Sequence, residues 1–278
     1  MHAAEAPNVM TRFESCTLSQ VRRVAAMLDL DPDQVVEGQP LPRGWHFLML
    51  AGDTRRSSLR ADGFPGLAVP MPDHGLPRLL LAGRTVAWPG DIHIGEPVER
   101  RSMVADITEK DGASGRMALV TLRHELRPLS QQDPAVTETQ TYALLPAASG
   151  SAPRPAPRPA PEAGPEALRH HMTPDQTLLF QYSALGFNSH KIHLDRDHAR
   201  RVEGLPDLVV NGGLSTLLAT EFLRAERGVT PRALRVLHMA PLYYDGPLTL
   251  RAEPEATGWR VRILDDAGCL AAELEIDT

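Results

Sequence analysis

Between Ala147 and Glu166, prolines recur at positions 153, 155, 157, 159, 161 and 165. Proline donates no N–H to a sheet ladder and interrupts helices, and a stretch this poor in large side chains has little to bury. Residues 147–166 therefore read as an extended linker, dividing the 278-residue chain into residues 1–146 and 167–278. What stands on either side of it decides the fold class.

Both sides end alike. Before the linker, the runs Arg84–Trp88, Val98–Ile107, Met117–Arg127 and Thr137–Leu145 alternate apolar with polar residues and are rich in β-branched types. After it, Ala233–Ala240, Leu248–Pro254, Trp259–Leu264 and Cys269–Ile276 do the same. Each set predicts a four-stranded antiparallel meander, with turns at Pro89-Gly90, Asp111-Gly112 and Asp265–Gly268. Ile94-Gly95-Glu96-Pro97-Val98-Glu99-Arg100-Arg101 can be laid on Asp245-Gly246-Pro247-Leu248-Thr249-Leu250-Arg251, each a Gly/Pro turn opening a strand that ends in arginine. Two copies of one α+β unit are expected.

Helical patterns precede both meanders. Ser19 is a plausible N-cap for a helix carrying Val21, Val24, Ala25 and Leu28, stopped by Asp31-Pro32. In the second half helices are expected over Asp175–Leu185, Asp195–Val202 and Leu214–Ala225. Leu41–Leu50 is an apolar run expected to be buried, with Trp45 and His46 as core or loop anchors. Ala51–Leu79, dense in glycine and proline, predicts a loop arching over a ligand.

Composition narrows the function. A net charge of -6 and a pI near 6.0 argue against a nucleic-acid partner. Cys16 and Cys269 are too far apart in sequence to suggest a disulfide framework or a CxxC metal site. No apolar run reaches membrane-spanning length, and Glu5 stands where a signal peptide would be basic and then apolar. A cytoplasmic protein without a membrane partner is expected.

The chemistry concentrates after the linker. Phe187-Asn188-Ser189-His190-Lys191-Ile192-His193-Leu194-Asp195 brings together an amide, two imidazoles and a carboxylate. Shortly after it, Leu208-Val209-Val210-Asn211-Gly212-Gly213-Leu214 runs from a β-like segment through two glycines into a helix, where bare backbone N–H groups favour negative charge. Bland alternatives stand beside these assignments. A lone buried histidine is as often structural as catalytic, His190 fits a supporting role, and Asp195 fits a helix cap. Gly212 and Gly213 could serve only close packing. His190, His193, Asp195 and His198 could in principle gather a metal, but no H-E-x-x-H pattern supports one, and no metal is expected.

The His-rich run resembles that of the MaoC-type, fungal-synthase-like dehydratases, whose pattern is Phe-Asn-Ser/Gly-His-Arg-Ile-His-Tyr-Asp. The resemblance extends to Trp45-His46-Phe47, Gly95–Arg101, Val120–Glu125 and Arg201–Pro206. It implies a double hot-dog fold, two antiparallel sheets each wrapped on a central helix, with residues 1–146 as a degenerate substrate- and CoA-binding half and 167–278 as the catalytic half. On the register of the related single-hot-dog enoyl-CoA hydratases, with their Asp-x-Asn-Pro-x-His pattern, Asn188 stands in the aspartate's place and His193 in the histidine's. Where the family has Val-Val-His-Gly-Pro-Leu, this chain has Asn211 for the histidine.

The resemblance implies a hydro-lyase that adds water to a short branched dicarboxylic enoyl-CoA, such as itaconyl-CoA or mesaconyl-C4-CoA, giving citramalyl-CoA. His193 and Asn188 would be catalytic, Gly212 and Gly213 would bind the thioester oxygen, and His190, Asp195 and Asn211 would support them. No cofactor is called for, since CoA is part of the substrate. The chain would act as a monomer or homodimer. Lys191, Arg200, Arg201 and Arg84 are the candidates to grip phosphates or a distal carboxylate. Alternatives are a hot-dog acyl-CoA thioesterase, which would want a carboxylate where Asn188 stands, and a non-catalytic acyl-CoA-binding protein.

Overall fold

The computed structural model describes residues 9–71, 74–112, 115–147 and 157–278. The start of the chain, the tip of the hairpin after Asp111-Gly112, and the linker as far as residue 156, with Pro153, Arg154 and Pro155, lie outside these.

The first half runs β1 (Met10–Ser15), α1 (Leu18–Met27), a 3-10 turn (Trp45–Met49), then β2 (Arg78–Ala87), β3 (Pro97–Gly112), β4 (Gly115–Pro128) and β5 (Val136–Leu145). The second runs β6 (Leu168–Met172), α2 (Gln176–Leu185), α3 (Arg196–Arg201), α4 (Gly212–Arg227), then β7 (Ala233–His238), β8 (Leu248–Glu255), β9 (Gly258–Leu264) and β10 (Leu270–Asp277). All the strands join one antiparallel sheet in the order β1-β3-β4-β5-β2-β7-β10-β9-β8-β6. Exchanging each strand of the first half for its counterpart in the second reverses that order, so the halves are related by a pseudo-two-fold axis. The axis passes between β2 and β7, which pair from Gly83↔Leu237 to Ala87↔Ala233.

Each half thus holds one strand more than the meander expected for it. The additions are the edge strands β1 and β6, which pair with β3 and β8. β6 reads Leu168-Arg-His-His-Met with its middle exposed, so it carries no alternation for the sequence to show. The first helix also starts earlier than Ser19 implies. Thr17 is its N-cap, and Thr17 and Gln20 form a reciprocal capping box that satisfies two otherwise orphaned N–H groups.

The larger difference lies in what each half wraps. In the second, α4 buries Leu214, Leu217 and Leu223 and packs on β8 and β9, where Leu250, Val261 and Ile263 are almost fully enclosed. Each such side chain contributes about 1.5–3 kcal/mol. In the first half, the expected long central helix is reduced to the turn Trp45–Met49, all of it buried. Gly44 before it is left-handed, at φ 94°, and the glycine- and proline-rich stretch after Ala51 cannot propagate a helix. The loop that follows closes the remaining gap, with Phe64, Leu67 and Leu76 packed beside Leu79, Val120 and Leu122.

Past residue 156 the linker is held down rather than free. Arg158 O accepts from Leu270 N (2.8 Å), Pro159 bridges Cys269, and Gly164 N donates to Glu253 Oε1 (2.8 Å). Cys16 and Cys269 are both free thiols. No helix among the described residues is long and apolar enough to cross a membrane.

Candidate active site

Where the two halves meet, β2, β5, the His-rich loop, the start of α4 and the end of β7 enclose a cavity of about 340 Å³. His193 is seated by the segment before α4. Val209 N donates to Ile192 O (2.9 Å), Val210 N donates to Leu242 O (2.9 Å), and Val209 O accepts from His193 Nδ1 at 2.7 Å. A backbone carbonyl can only accept, so Nδ1 carries the proton and Nε2 is the basic nitrogen. Burial pushes this imidazole down to about 4, the Val209 bond opposing it, so it is neutral near pH 7.

Asn188 lines the same cavity. Its Oδ1 accepts from His190 N at 3.1 Å, an Asx-type turn that leaves the amide NH₂ free to donate. His190 stands edge-on to His193, ring centroids 5.6 Å apart, with Nε2 3.6 Å from Asp62 Oδ2. Burial and His193 push its pKa down while Asp62 pulls it up.

Asp62 belongs to the first half, and its loop is the partner the sequence did not show. Lys191 N donates to Asp62 O (2.8 Å), Ser189 Oγ to Gly63 O (2.6 Å) and Lys191 Nζ to Ala61 O (2.7 Å). Gly63 has φ 78°, and a Cβ there would collide with Ser189 O. Only glycine lets the two loops approach so closely. Part of the loop expected to arch over a ligand is therefore docked against the His-rich run.

Asn211 occupies the N-cap of α4 without capping it. It is buried, its Nδ2 3.5 Å from Ser183 Oγ and its Oδ1 unpartnered. Ser215 N takes the Asn211 carbonyl, and the N–H groups of Gly212 and Gly213 precede the first intrahelical bond. A Cβ on Gly213 would strike the Tyr182 hydroxyl, and one on Gly212 would press on His238 Nε2 (3.2 Å). Close packing is therefore a fact at both glycines, and both line the cavity together with His238, whose pKa burial lowers to about 4.

Two candidate groups fall elsewhere. Asp195 caps α3, its Oδ1 accepting from His198 N at 3.0 Å, and it does not line the cavity. No group of three or more His, Cys, Asp or Glu among the described residues converges as metal ligands. The four basic candidates separate cleanly. Lys191 binds Ala61 O, Arg200 binds Asp207 and Pro206 O, and Arg201 is exposed beside Asp197. Only Arg84 of the four lines the cavity.

A pseudo-symmetric sheet of this order, with a long helix beneath one half, is a double hot-dog. A Mycobacterium tuberculosis protein described by that fold superposes with TM-score 0.60 at 17% identity, over 98% of this chain and 96% of that one. A MaoC-like dehydratase superposes with TM-score 0.73 at 16% identity, over 97% of each chain. The chain belongs to the hydroxyacyl-thioester dehydratase type 2 family, whose model matches residues 44–244, and is an enzyme of the hydratase/dehydratase class. It is also 32% identical to the mesaconyl-C(4)-CoA hydratase of Chloroflexus aurantiacus over 93% of this chain and 92% of that one.

Proposed function

We propose that this enzyme reversibly hydrates a short branched dicarboxylic enoyl-CoA, with mesaconyl-C4-CoA or itaconyl-CoA as substrate and citramalyl-CoA as product. The observation that carries the chemistry is the Val209 O–His193 Nδ1 bond, which leaves Nε2 as the basic nitrogen of a neutral imidazole on a residue that lines the cavity. The 32% identity to a mesaconyl-C(4)-CoA hydratase supports the substrate.

For mesaconyl-C4-CoA the reaction runs as follows. His193 Nε2 takes a proton from water as its oxygen bonds to the β-carbon, and the electron pair of the double bond passes through the α-carbon to the thioester oxygen. The N–H groups of Gly212 and Gly213, at the positive end of α4, receive that charge; a donor of this kind is worth about 3–4 kcal/mol in the barrier. The imidazolium then returns its proton to the α-carbon. Asn188, its Oδ1 held by His190 N, steers the water through its NH₂. His190 and Asn211 hold the loop and the start of α4, and Asp195 caps the helix that follows.

The second half supplies the proton chemistry and the first half the acyl end of the cavity, so one chain carries a whole site without a cofactor. A reducing, cytoplasmic setting suits the two free thiols. The test is to incubate the enzyme with mesaconyl-C4-CoA and itaconyl-CoA and weigh the products. Gain of one water supports hydration, release of free CoA indicates a thioesterase, and binding without change indicates an acyl-CoA-binding protein.

A further inference from the structure

The cavity is built largely from apolar side chains and neutral polar groups; among the described residues its lining holds no carboxylate and a single permanent cation, Arg84. A hydrocarbon acyl chain has no use for a buried guanidinium, which is costly to desolvate. Arg84 is nonetheless built in with care. Its side chain is 10% exposed. Its Nε stands 3.0 Å from Glu138 Oε1, a close charge contact that is not aligned as a hydrogen bond. Glu138 is fixed from other sides by His46 Nε2 (2.7 Å) and Gln140 Nε2 (2.5 Å), and Tyr142 OH donates to Gln140 Oε1 (2.7 Å). Glu138 engages the guanidinium at Nε, Arg84 lines the cavity, and its Nη end is a planar fork suited to a carboxylate.

The position of that fork is informative. Arg84 Nη2 lies 3.5 Å from where a Cβ on Gly213 would be, so the guanidinium sits one contact away from the first turn of α4. A thioester oxygen on that turn and a carboxylate on Arg84 would have to be close together. In a trans C4 enoyl chain the thioester carbon and the free carboxyl carbon are three bonds apart, about 3.8 Å, as for successive Cα atoms across a trans peptide. We infer that Arg84 is the receptor for a free carboxylate on the β-carbon of the acyl group, and that it confines the enzyme to short dicarboxylic thioesters. The inference rests on the hydratase proposal above and adds the residue that selects the substrate.

The probe replaces that carboxylate with a smaller, uncharged methyl group, which turns mesaconyl-C4-CoA into 3-methylcrotonyl-CoA. Arg84→Met should lower kcat/KM for mesaconyl-C4-CoA at least about 100-fold, and at least about 30-fold more than for 3-methylcrotonyl-CoA. Arg84→Lys should recover part of the loss, since it keeps the charge without the fork. Equal losses on both thioesters would overturn the inference, because Arg84 would then act on the thioester or on the fold. Arg84→Met strands the Glu138 charge, so the same comparison is made in Arg84→Met/Glu138→Gln, which removes both. Wild-type enzyme gives a measure free of any folding defect. 3-Hydroxy-3-methylbutyryl-CoA, the product with methyl for carboxylate, should inhibit at least about 50-fold more weakly than citramalyl-CoA. Equal inhibition with normal hydratase turnover overturns the Arg84 assignment and leaves the hydratase proposal standing. A wild type that hydrates neither dicarboxylic thioester removes both.

Discussion

The two halves share a strand order and differ in what fills them. Under β8 and β9 lies a sixteen-residue helix that buries Leu214, Leu217, Ala219, Phe222 and Leu223 together with Ser215, Thr216, Thr220 and Glu221. The corresponding space in the first half holds five residues of 3-10 turn and a set of buried polar side chains, among them His46, Arg100, His124, Glu138 and Gln140. Arg100 shows why these are tolerated. Its Nη1 donates to Met49 O (2.6 Å) and Ala51 O (2.8 Å), and its Nη2 pairs with Glu14 (3.2 Å), serving carbonyls that a longer helix would have satisfied itself. The first half, without a long helix, fills that interior with paired polar groups, while the second keeps a helix whose first turn lines the cavity with His193.

The turns after the first helix of each half sharpen the contrast. α1 is followed by Asp29 at φ 55° and α2 by Phe187 at φ 46°, so the chain leaves both helices through the same uncommon conformation. Beyond that point the first half continues as Leu30-Asp31-Pro32 and the second as Asn188-Ser189-His190. The backbone has kept the symmetry and the chemistry has not. The largest effect expected follows from this. His193→Ala should lower kcat by about 10²–10⁴-fold, the range of general acid–base catalysis, with circular dichroism and melting unchanged in form. Near-wild-type turnover in a folded variant would take His193 out of the mechanism. Because folding holds the imidazole down to about 4, kcat limited by this base should stay flat from pH 8 down to about 5 and fall as pH approaches 4.

The next effect is on stability and belongs to the first half. Glu138 is about 1% exposed. Burial raises its pKa, but Arg84, His46 and Gln140 together outweigh this and hold it to about 2. Glu138→Gln leaves Arg84 buried without its counter-charge and should cost about 3–5 kcal/mol in urea unfolding. The depressed carboxyl contributes stability that is present above its ordinary value of 4.5 and lost as pH falls towards 2. The wild type should therefore lose stability over that window and the variant should lose less. A cost below 1 kcal/mol would mean that the charge network of the first half is dispensable for stability.

Much of the second half was legible in the sequence and less of the first. The strands of both meanders were found, since alternation is a local signal. Asn188, His193 and the two glycines stand out in the sequence by their types and spacing, and the fold brings all four to one cavity. Thr17 was passed over for Ser19 because a capping box needs its partner, Gln20, to be read together with it. The missing helix could not be seen, because the buried run Trp45–Met49 looks the same whether it goes on as helix or stops. Arg84 could not be ranked above Arg200 or Lys191, since what separates them is which neighbours fold against them. The docking of Asp62 and Gly63 on the His-rich loop joins residues over 120 positions apart, beyond the reach of any local pattern.

Histidines outside the site offer a gentler probe. His124 accepts or donates at Nδ1 with Ser102 Oγ (2.8 Å) and is pushed down from 6.5 to about 4, chiefly by burial. Such a group is bound by a proton more readily when unfolded, so the stability it permits is full above pH 6.5 and is lost as pH falls through about 4. By pH 4 the loss is about 3 kcal/mol. His124→Gln should match the wild type within about 1 kcal/mol at pH 7.5 and show a shallower fall in melting temperature between pH 6.5 and 4, with kcat/KM little changed. If both proteins lose stability equally over that window, the interior imidazole of the first half is not what senses acid.

The smallest effect concerns Asp195, which stands in the His-rich run yet turns its carboxylate to the His198 N–H at the start of α3. An N-cap aspartate replaced by alanine costs about 1 kcal/mol. Asp195 also receives structure from the turn Lys191–His193, its N–H donating to Lys191 O at 2.8 Å, but that bond is made by backbone and survives the substitution. Asp195→Ala should therefore lower stability by about 1 kcal/mol while kcat and KM stay within about threefold of wild type, and Asp195→Asn, a comparable cap, should restore the stability. A loss of tenfold or more in kcat for both variants, with little change in melting, would mean that the carboxylate itself reaches the reaction. Asp195 would then act with the residues of the run that line the cavity, and not merely end the run.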